Sequence, residues 1–444
     1  MKPNIIFIVA DDLGYADLGC YGGRDAEFGP VSPVLDTLAA KGLKFTQGYA
    51  NSPVCSPTRF ALMTARYQYR LRGAAEEPIN SRSRGSTTLG LPPEHPTLPS
   101  RLKASGWRTA LIGKWHLGYP PAFGPLKSGY EEFFGPMAGG VDYFTHCAST
   151  GAHDLWFGEE EKAEPGYLTD LISKRAVDYV NRMARQDQPF FLSLHYTAPH
   201  WPWETRDDEA LAAQVADNIF HLDGGNIHTY RRMIHHMDEG IGWVMQALAQ
   251  HGLSDNTLVV FTSDNGGERF SDNWPLVGGK MDLTEGGIRV PWIAHWPAVI
   301  GAGAVSEQHC LTMDWSATML DAAGILPGSA GMPADPDYPL DGVSLLPVLR
   351  DPAHRFRRPM HWRMNHRGQR ALRDGDWKYL QVDGNEYLFD IAADERERAN
   401  RARREGARLA AMREAWQAWE ATMPPIPADA TISVGYSAKD MPQR

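Results

Sequence analysis

The sequence predicts an α/β fold: a large, mainly parallel mixed sheet sandwiched by helices, followed by a small C-terminal α+β domain with an antiparallel sheet. Three observations carry that prediction. Short, almost continuously apolar runs recur through most of the chain, and amphipathic helical stretches alternate with them. Beyond about residue 356 the pattern changes to alternating strands, tight turns and one charged helix.

The apolar runs are "NIIFIVA" (4–10), "TALIGKW" (109–115), "FFLSLHY" (190–196), "TLVVFTSD" (257–264) and "VPWIAHW" (290–296). Strands covered by helices on both faces lack polar alternation, so each reads as a buried parallel strand. Between them, Ile172, Ala176, Val180 and Met183 fall on one face of a helix over 170–184. Met233, Met237, Ile241, Val244 and Leu248 do the same over 230–250. The Pro-, Gly- and Asp-rich stretch 326–342 reads as a long surface loop.

In "RALRDGDWKYLQVDGNEYLFDI" the strands turn at Asp-Gly and Gly-Asn, which predicts antiparallel hairpins. A helix over 401–421 follows, with Leu409, Met412, Trp416 and Trp419 as its buried stripe. The chain thus divides into 1–355, a small domain at 356–421, and an irregular tail at 422–444 that is either loose or an arm on a neighbouring subunit.

Hydrophobic residues at 43% and charged residues at 22% are ordinary for a globular protein. A net charge of −10 excludes general nucleic-acid binding, which needs a basic footprint. No run is long enough to span a bilayer. The opening apolar run is too short for a secretory signal and ends in two aspartates, so the expected location is cytoplasmic. The four cysteines, Cys20, Cys55, Cys147 and Cys310, are scattered and form no metal clamp or disulfide framework. Three of them read as small buried hydrophobes; Cys55 needs a separate account.

In open parallel sheets, ligands gather beyond the carboxyl ends of the strands. The first predicted strand ends in Asp11 and Asp12, the second runs into Lys114 and His116, the third leads to His200, and the fourth ends in Asp264 and Asn265. Asp and Asn often cap turns, but two such pairs at the ends of two buried strands favour a metal site of the hard-oxygen type that suits Ca²⁺ or Mg²⁺. Lys114, His116, His200, Lys280 and Arg59 would suit a compact anion carrying several oxygens. His95, His146, His153, His195, His235 and His236 read as structural.

Cys55 lies in "NSPVCSPTRFALMTARY" (51–67), where Ser56 and Pro57 fit an N-cap and a first helical position. A cysteine ahead of a helix N-terminus has a lowered pKa and could serve as a thiolate nucleophile. A hard-oxygen metal, however, matches a soft thiolate poorly. That conflict suggests that the sulfur is not the group that finally acts.

"CSPTR" (55–59) resembles the C-x-P-x-R signature of type I sulfatases, and "GKWHLG" (113–118) resembles their second signature. "NIIFIVADDLGY" (4–15), "APHWP" (198–202), "SDNGG" (263–267) and "GGK…EGGIRVP" (278–291) follow the usual order of that family, so the similarity runs from residue 4 to roughly 390. The resemblance implies an alkaline-phosphatase-like fold and an arylsulfatase-like hydrolysis of sulfate esters. It implies that a separate formylglycine-generating enzyme oxidises Cys55 to formylglycine, whose hydrated aldehyde is the nucleophile. It further implies a metal, Ca²⁺ in preference to Mg²⁺ or Mn²⁺, held by Asp11, Asp12, modified Cys55, Asp264 and Asn265. Arg59 would support the hydrated aldehyde, and Lys114, His200 and Lys280 would grip the sulfate. His200 or Lys280 would protonate the departing alcohol or phenol. His116 would be the base that expels sulfate from the sulfated enzyme.

One departure from the family pattern is visible. The stretch "FFGPMAGGVDYFTH" (133–146) offers no serine where many relatives place a hydroxyl near the sulfate, which leaves Asp142, Tyr143 or His146 as candidates for the mouth. Trp201 and Trp203 flank His200 and either wall a ring-shaped substrate or pack the loop. The expected partner is a small-molecule or carbohydrate sulfate ester, with no nucleic acid or membrane and with the oligomeric state open. Two other functions compete: a phosphonate monoester or phosphodiester hydrolase using the same groups, and a metal-stabilised anion-binding protein with Cys55 unmodified.

Overall fold

The computed structural model describes residues 2–72, 76–215 and 224–432. Its centre is a ten-stranded mixed sheet in the order Ala304–Ser306, Leu43–Phe45, Trp292–His295, Thr257–Ser263, Asn4–Ala10, Phe190–His195, Arg108–Gly113, Glu132–Gly135, Trp156–Phe157 and Glu160–Glu161. Five strands from Thr257–Ser263 to Glu132–Gly135 run parallel.

Strand Asn4–Ala10 is buried along its whole length and shows why its sequence does not alternate. Ile6, Ile8 and Ala10 face one core, with helices Leu168–Met183 and Ile227–Gln250 packed over it. Ile5, Phe7 and Val9 face the other, shared with helices Cys55–Thr64, Leu98–Ala104 and Thr312–Ala322. Both faces are apolar, so Ile5 to Ala10 are all apolar. Two of the predicted helical stripes are wholly buried: Ile172, Ala176, Val180 and Met183 on one helix, and Met233, Met237, Ile241, Val244 and Leu248 on the other. No described helix is long and apolar enough to cross a membrane.

The strand predicted over 290–296 forms at Trp292–His295, but it pairs antiparallel to both Thr257–Ser263 and Leu43–Phe45. Burial on both faces makes an antiparallel strand look parallel in sequence, and hydrophobicity carries no direction.

A four-stranded antiparallel sheet follows, from Met360–Met364 through Gln369–Asp374 and Trp377–Val382 to Asn385–Asp390. Its hairpins turn at Gly375 and Gly384, both with positive φ, as the Asp-Gly pairs suggested. One face carries Leu372, Tyr379 and Leu388 against Met412 and Trp416 of helix Gly406–Glu420. Leu409 and Trp419 of the predicted stripe are only half-buried.

The other face, with Trp362, Ala371 and Leu380, packs on Tyr49, Val54 and Ala61 and so backs the helix that begins at Cys55. The described part of the tail returns to its own chain: the Thr431 carbonyl accepts from Glu77 N at 3.1 Å, and Thr431 N donates to Glu76. The described tail, 422–432, thus touches its own chain at Thr431, while 433–444 lie outside the described residues.

A buried ionic knot ties the small sheet to the large one. Lys378, with no exposed surface, contacts Glu285 at 3.0 Å and Glu397 at 2.8 Å, and Glu285 N donates to Glu397 Oε2 at 2.7 Å. Burial opposes ionisation of Glu285, yet Lys378, Arg373 and Arg289 hold its pKa down at about 2. Lys378→Ala would leave Glu397 buried without its cation and Glu285 with only the more distant Arg289 and Arg373. The expected loss is about 3–5 kcal/mol, read as a lower denaturant midpoint; an unchanged midpoint would contradict the assignment.

Candidate active site

Four adjacent parallel strands deliver the predicted residues to one end of the sheet. Asn4–Ala10 runs into Asp11 and Asp12, and its neighbour Thr257–Ser263 runs into Asp264 and Asn265. On the other side, Phe190–His195 leads to His200, and Arg108–Gly113 leads to Lys114 and His116. Asp12 and His116 turn sharply off their strands with φ of 62° and 59°. Such left-handed backbone costs about 1–2 kcal/mol for a residue with a side chain, and the surrounding contacts hold it in place.

Helix Cys55–Thr64 meets these strand ends from the side, and Cys55 is its first residue. The helix thus starts earlier than Ser56-Pro57 predicts, with Val54 at the N-cap. Ser56 does not cap the helix; its Oγ accepts from Ile79 N at 2.9 Å. The Ile79 carbonyl in turn accepts from His116 Nε2 at 2.7 Å. Residue 79 therefore bridges the start of the helix and the second signature, and neither signature contains it.

The charged groups interlock. Arg59 donates to Asp264 Oδ2 from Nε at 3.0 Å and from Nη2 at 2.7 Å. Lys114 Nζ contacts Asp11 Oδ2, and Lys280 Nζ contacts Asp12 Oδ2 at 2.6 Å. His200 Nε2 lies 3.5 Å from the same Asp12 oxygen. Cys55 Sγ is 3.4 Å from Asp11 Oδ1 and 3.8 Å from Asp12 Oδ1. His116 lies within electrostatic reach of Lys114, Arg59 and His200. His195, read as structural, stands behind the group with Nδ1 beside Arg59 and the Lys114 carbonyl. All of these predicted residues are buried except Lys280, which is partly exposed.

Burial and mutual charge set the protonation states. Burial, then the Asp264 charge, lifts Asp11 to about 7 against the pull of Lys114 and Arg59. Burial would raise Asp12 too, but Lys280, His200 and Lys114 bring it below the usual carboxylate range. Burial pushes the Cys55 thiol well up and outweighs the lysines. It also drives His116 and His200 well below the usual imidazole value, with Lys114 and Lys280 adding to the effect. A Cys55 thiolate is therefore not favoured, although the residue opens a helix.

The donor set fits a divalent cation. Three carboxylates converge, and among the described residues Asp11, Asp12, Cys55 and His200 place ligand atoms within 4.8 Å of one another. Asn265 turns its amide nitrogen to Asp12 Oδ1 at 2.7 Å and leaves Oδ1 buried without a partner among the described residues. An unsatisfied amide oxygen beside three carboxylates is a hard-oxygen cradle.

The three residues suggested for the mouth lie elsewhere. Asp142 and Tyr143 have no exposed surface, and His146 bonds the Gly166 carbonyl at 3.2 Å. Asp142 Oδ1 accepts from Phe144 N and Thr145 N, while Tyr143 OH donates to the His200 carbonyl at 2.9 Å. The loop does reach the site through its glycines: a Cβ on Gly139 would stand 2.4 Å from the His116 ring, and one on Gly140 3.0 Å from the His200 ring. Trp203 is buried against Phe270, whereas Trp201 is half-buried with its ring 4.4 Å from that of His200. Packing thus accounts for Trp203, and only Trp201 borders the opening.

Glu204 was missed, since a lone glutamate after "HWPW" carries no signal. Its Oε2 accepts from Tyr143 N at 3.1 Å, and its other oxygen faces Asp142. Burial and then the Asp142 charge raise Glu204 to about 9, and its bond from Tyr143 N clamps the 139–146 loop to the His200 loop.

Comparison with known proteins agrees with this geometry. The Sulfatase family matches residues 3–325. Human N-acetylgalactosamine-6-sulfatase is 34% identical over 369 residues, 78% of this chain, and the match spans 66% of the human enzyme's length. The crystal structure of Ps i-CgsB in complex with k-i-k-neocarrahexaose superposes with a TM-score of 0.81 at 32% identity, over 94% of this chain and 93% of that one. The phosphonate monoester hydrolase of Agrobacterium radiobacter shares the fold, with a TM-score of 0.62 at 20% identity over 95% and 96% of the two chains.

The Glu204 clamp predicts a pH effect. A carboxyl group raised to about 9 in the folded chain stabilises fully below its ordinary value near 4.5, and that contribution is lost as pH rises through 9. Glu204→Gln keeps a donor toward Asp142 but does not titrate. The thermal midpoint of the parent is expected to fall more steeply between about pH 5 and pH 9 than that of Glu204→Gln; parallel profiles would rule out a raised Glu204 pKa.

Proposed function

The chain belongs to the sulfatase family, and on that premise we propose that it hydrolyses sulfate esters to an alcohol or phenol and inorganic sulfate. The position of Cys55 carries the reading. A protonated sulfur 3.4 Å from Asp11, set among hard oxygen donors, is a poor metal ligand and a poor nucleophile as it stands. We read it as the precursor of formylglycine. Converted, position 55 would supply a hydrated aldehyde, with one hydroxyl to attack sulfur and a second to drive release of sulfate. Asp11, Asp12, Asp264 and Asn265 would hold the divalent cation, Ca²⁺ in this proposal, which supplies a positive centre that favours a deprotonated nucleophile.

The remaining roles follow from the side chains. Arg59, locked on Asp264 by two hydrogen bonds, keeps a fixed positive charge beside position 55. Lys114 and Lys280, paired with Asp11 and Asp12, are the cations for the sulfate oxygens. His200 Nδ1 donates to the Trp201 carbonyl at 2.6 Å, so a neutral His200 presents a lone pair at Nε2. Lys280, partly exposed at the opening, is then the better proton source for the leaving oxygen. His116 Nε2–H donates to the Ile79 carbonyl, which leaves Nδ1 buried with a free lone pair among the described residues. That nitrogen is the base for the second half of the reaction.

His116→Ala is expected to give one burst of nitrophenol from 4-nitrophenyl sulfate and then a kcat lower by about 10²–10⁴; burst-free turnover at the parent rate would remove His116 from this role. Mass spectrometry of the Cys55 peptide from the natural host should show the aldehyde, with sulfur exchanged for oxygen and two hydrogens lost, and a fully native cysteine in active protein would overturn the proposal. Chelation should abolish activity, with Ca²⁺ restoring it. Turnover of a nitrophenyl phosphonate ester faster than of the sulfate would move the assignment to phosphonate chemistry.

A further inference from the structure

From the same reading of the site, we infer that Trp274 and Arg396 form a second subsite, one that holds a neighbouring anionic sugar unit of a sulfated oligosaccharide while the sulfate ester sits at position 55. Trp274 is 59% exposed, a rare state for so large an apolar ring. The guanidinium of Arg396 lies 4.0 Å from the ring centroid. Among the described residues no carboxylate stands within ion-pair distance of Arg396, so its charge is available to a ligand.

Backbone contacts tie this pair to the opening of the site. Asn273, the residue before Trp274, accepts from Gly267 N at 3.1 Å and donates to the Gly267 carbonyl at 3.2 Å. The same carbonyl accepts from Lys280 N at 3.1 Å. A Cβ on Gly14 would stand 2.9 Å from the Asn273 side chain, so Asn273 is wedged between the turn after Asp12 and the turn after Asn265. Trp274 N is fixed by Asp272 Oδ1 at 2.9 Å, and Asp272 is held by Arg24 at 2.8 Å.

Arg396 is anchored from behind, since the next residue, Glu397, is pinned in the buried knot by Lys378. Cys55, Asp11 and Lys114 are buried, while Lys280, Glu268 and Phe270 on this side retain some exposed surface. Arg396 covers one face of the indole; the opposite face can stack on the C–H face of a sugar, and the guanidinium can pair with a sulfate or carboxylate of that ligand. Both are offered here next to the lysine at the mouth.

The test compares modification-verified parent enzyme with Trp274→Ala, Arg396→Ala and the double variant. The substrates are 4-nitrophenyl sulfate and sulfated mono- and hexasaccharides prepared from carrageenan and chondroitin sulfate. The expected result is nitrophenyl sulfate turnover within about twofold of the parent, and kcat/KM on a hexasaccharide lower by roughly tenfold through KM. Arg396→Lys should recover part of the loss.

Quenching of tryptophan fluorescence by the hexasaccharide should weaken in Arg396→Ala and fall further in Trp274→Ala. Equal losses on both substrates, unchanged hexasaccharide kinetics, or a parent with no preference for the hexasaccharide would each overturn the subsite. Absence of nitrophenyl sulfate and saccharide turnover in the verified parent would instead remove the sulfatase reading beneath it.

Discussion

Three carboxylates buried side by side need positive charge within a few ångströms, and the strand order of this sheet is what provides it. Taking one ion out of water costs several kcal/mol even after relaxation. Asp11, Asp12 and Asp264 are all at 2% exposure or less. Each has its own cation, Lys114, Lys280 and Arg59 respectively, and the three cations come from three different segments. The compensation is incomplete, since Asp11 stays near 7 and Asn265 Oδ1 lacks a partner. That residual demand for positive charge is the physical basis for placing a divalent ion there.

The small antiparallel sheet belongs to the same argument. Its inner face packs on Val54 and Ala61, so it fixes the axis of the helix whose first residue is Cys55. A tilt of that helix would move Cys55 and Arg59 together, and Arg59 is the cation for Asp264. The ionic knot of Lys378, Glu285 and Glu397 then couples the small sheet to Tyr49, whose hydroxyl donates to Glu285 at 2.8 Å. A perturbation at Lys378 is therefore mechanically connected to the site, although it lies outside it.

What the sequence revealed, and what it hid, follows from the range of each signal. Asp11, Asp12, Asp264 and Asn265 were legible because a buried strand that ends in charge is a local event. Lys114, His116, His200 and Lys280 were legible because their motifs are short and contiguous. The direction of Trp292–His295 was not legible, because burial on both faces erases the alternation that marks antiparallel pairing.

Ile79 was invisible because its contribution is a backbone carbonyl and amide, which any residue would offer. Glu204 was invisible because its partner Asp142 lies 62 positions away in sequence and looked like a candidate for the mouth. The helix start at Cys55 was misplaced because Ser56-Pro57 suits a cap by propensity, while Ser56 is used in a long-range bond to Ile79.

Specificity and chemistry occupy different zones of this fold. The buried zone holds only groups that answer to a compact anion, and nothing in it distinguishes one alcohol from another. Discrimination has to come from the rim, where the described side chains are Trp201, the 268–280 loop and Arg396. The rim is assembled from the loop that ends in Lys280 and from the small domain, and both are held by the contacts that balance the buried charges. A loop free to change its exposed residues while its ends stay fixed by Gly267 and Lys280 can alter what is recognised without disturbing the buried charged groups.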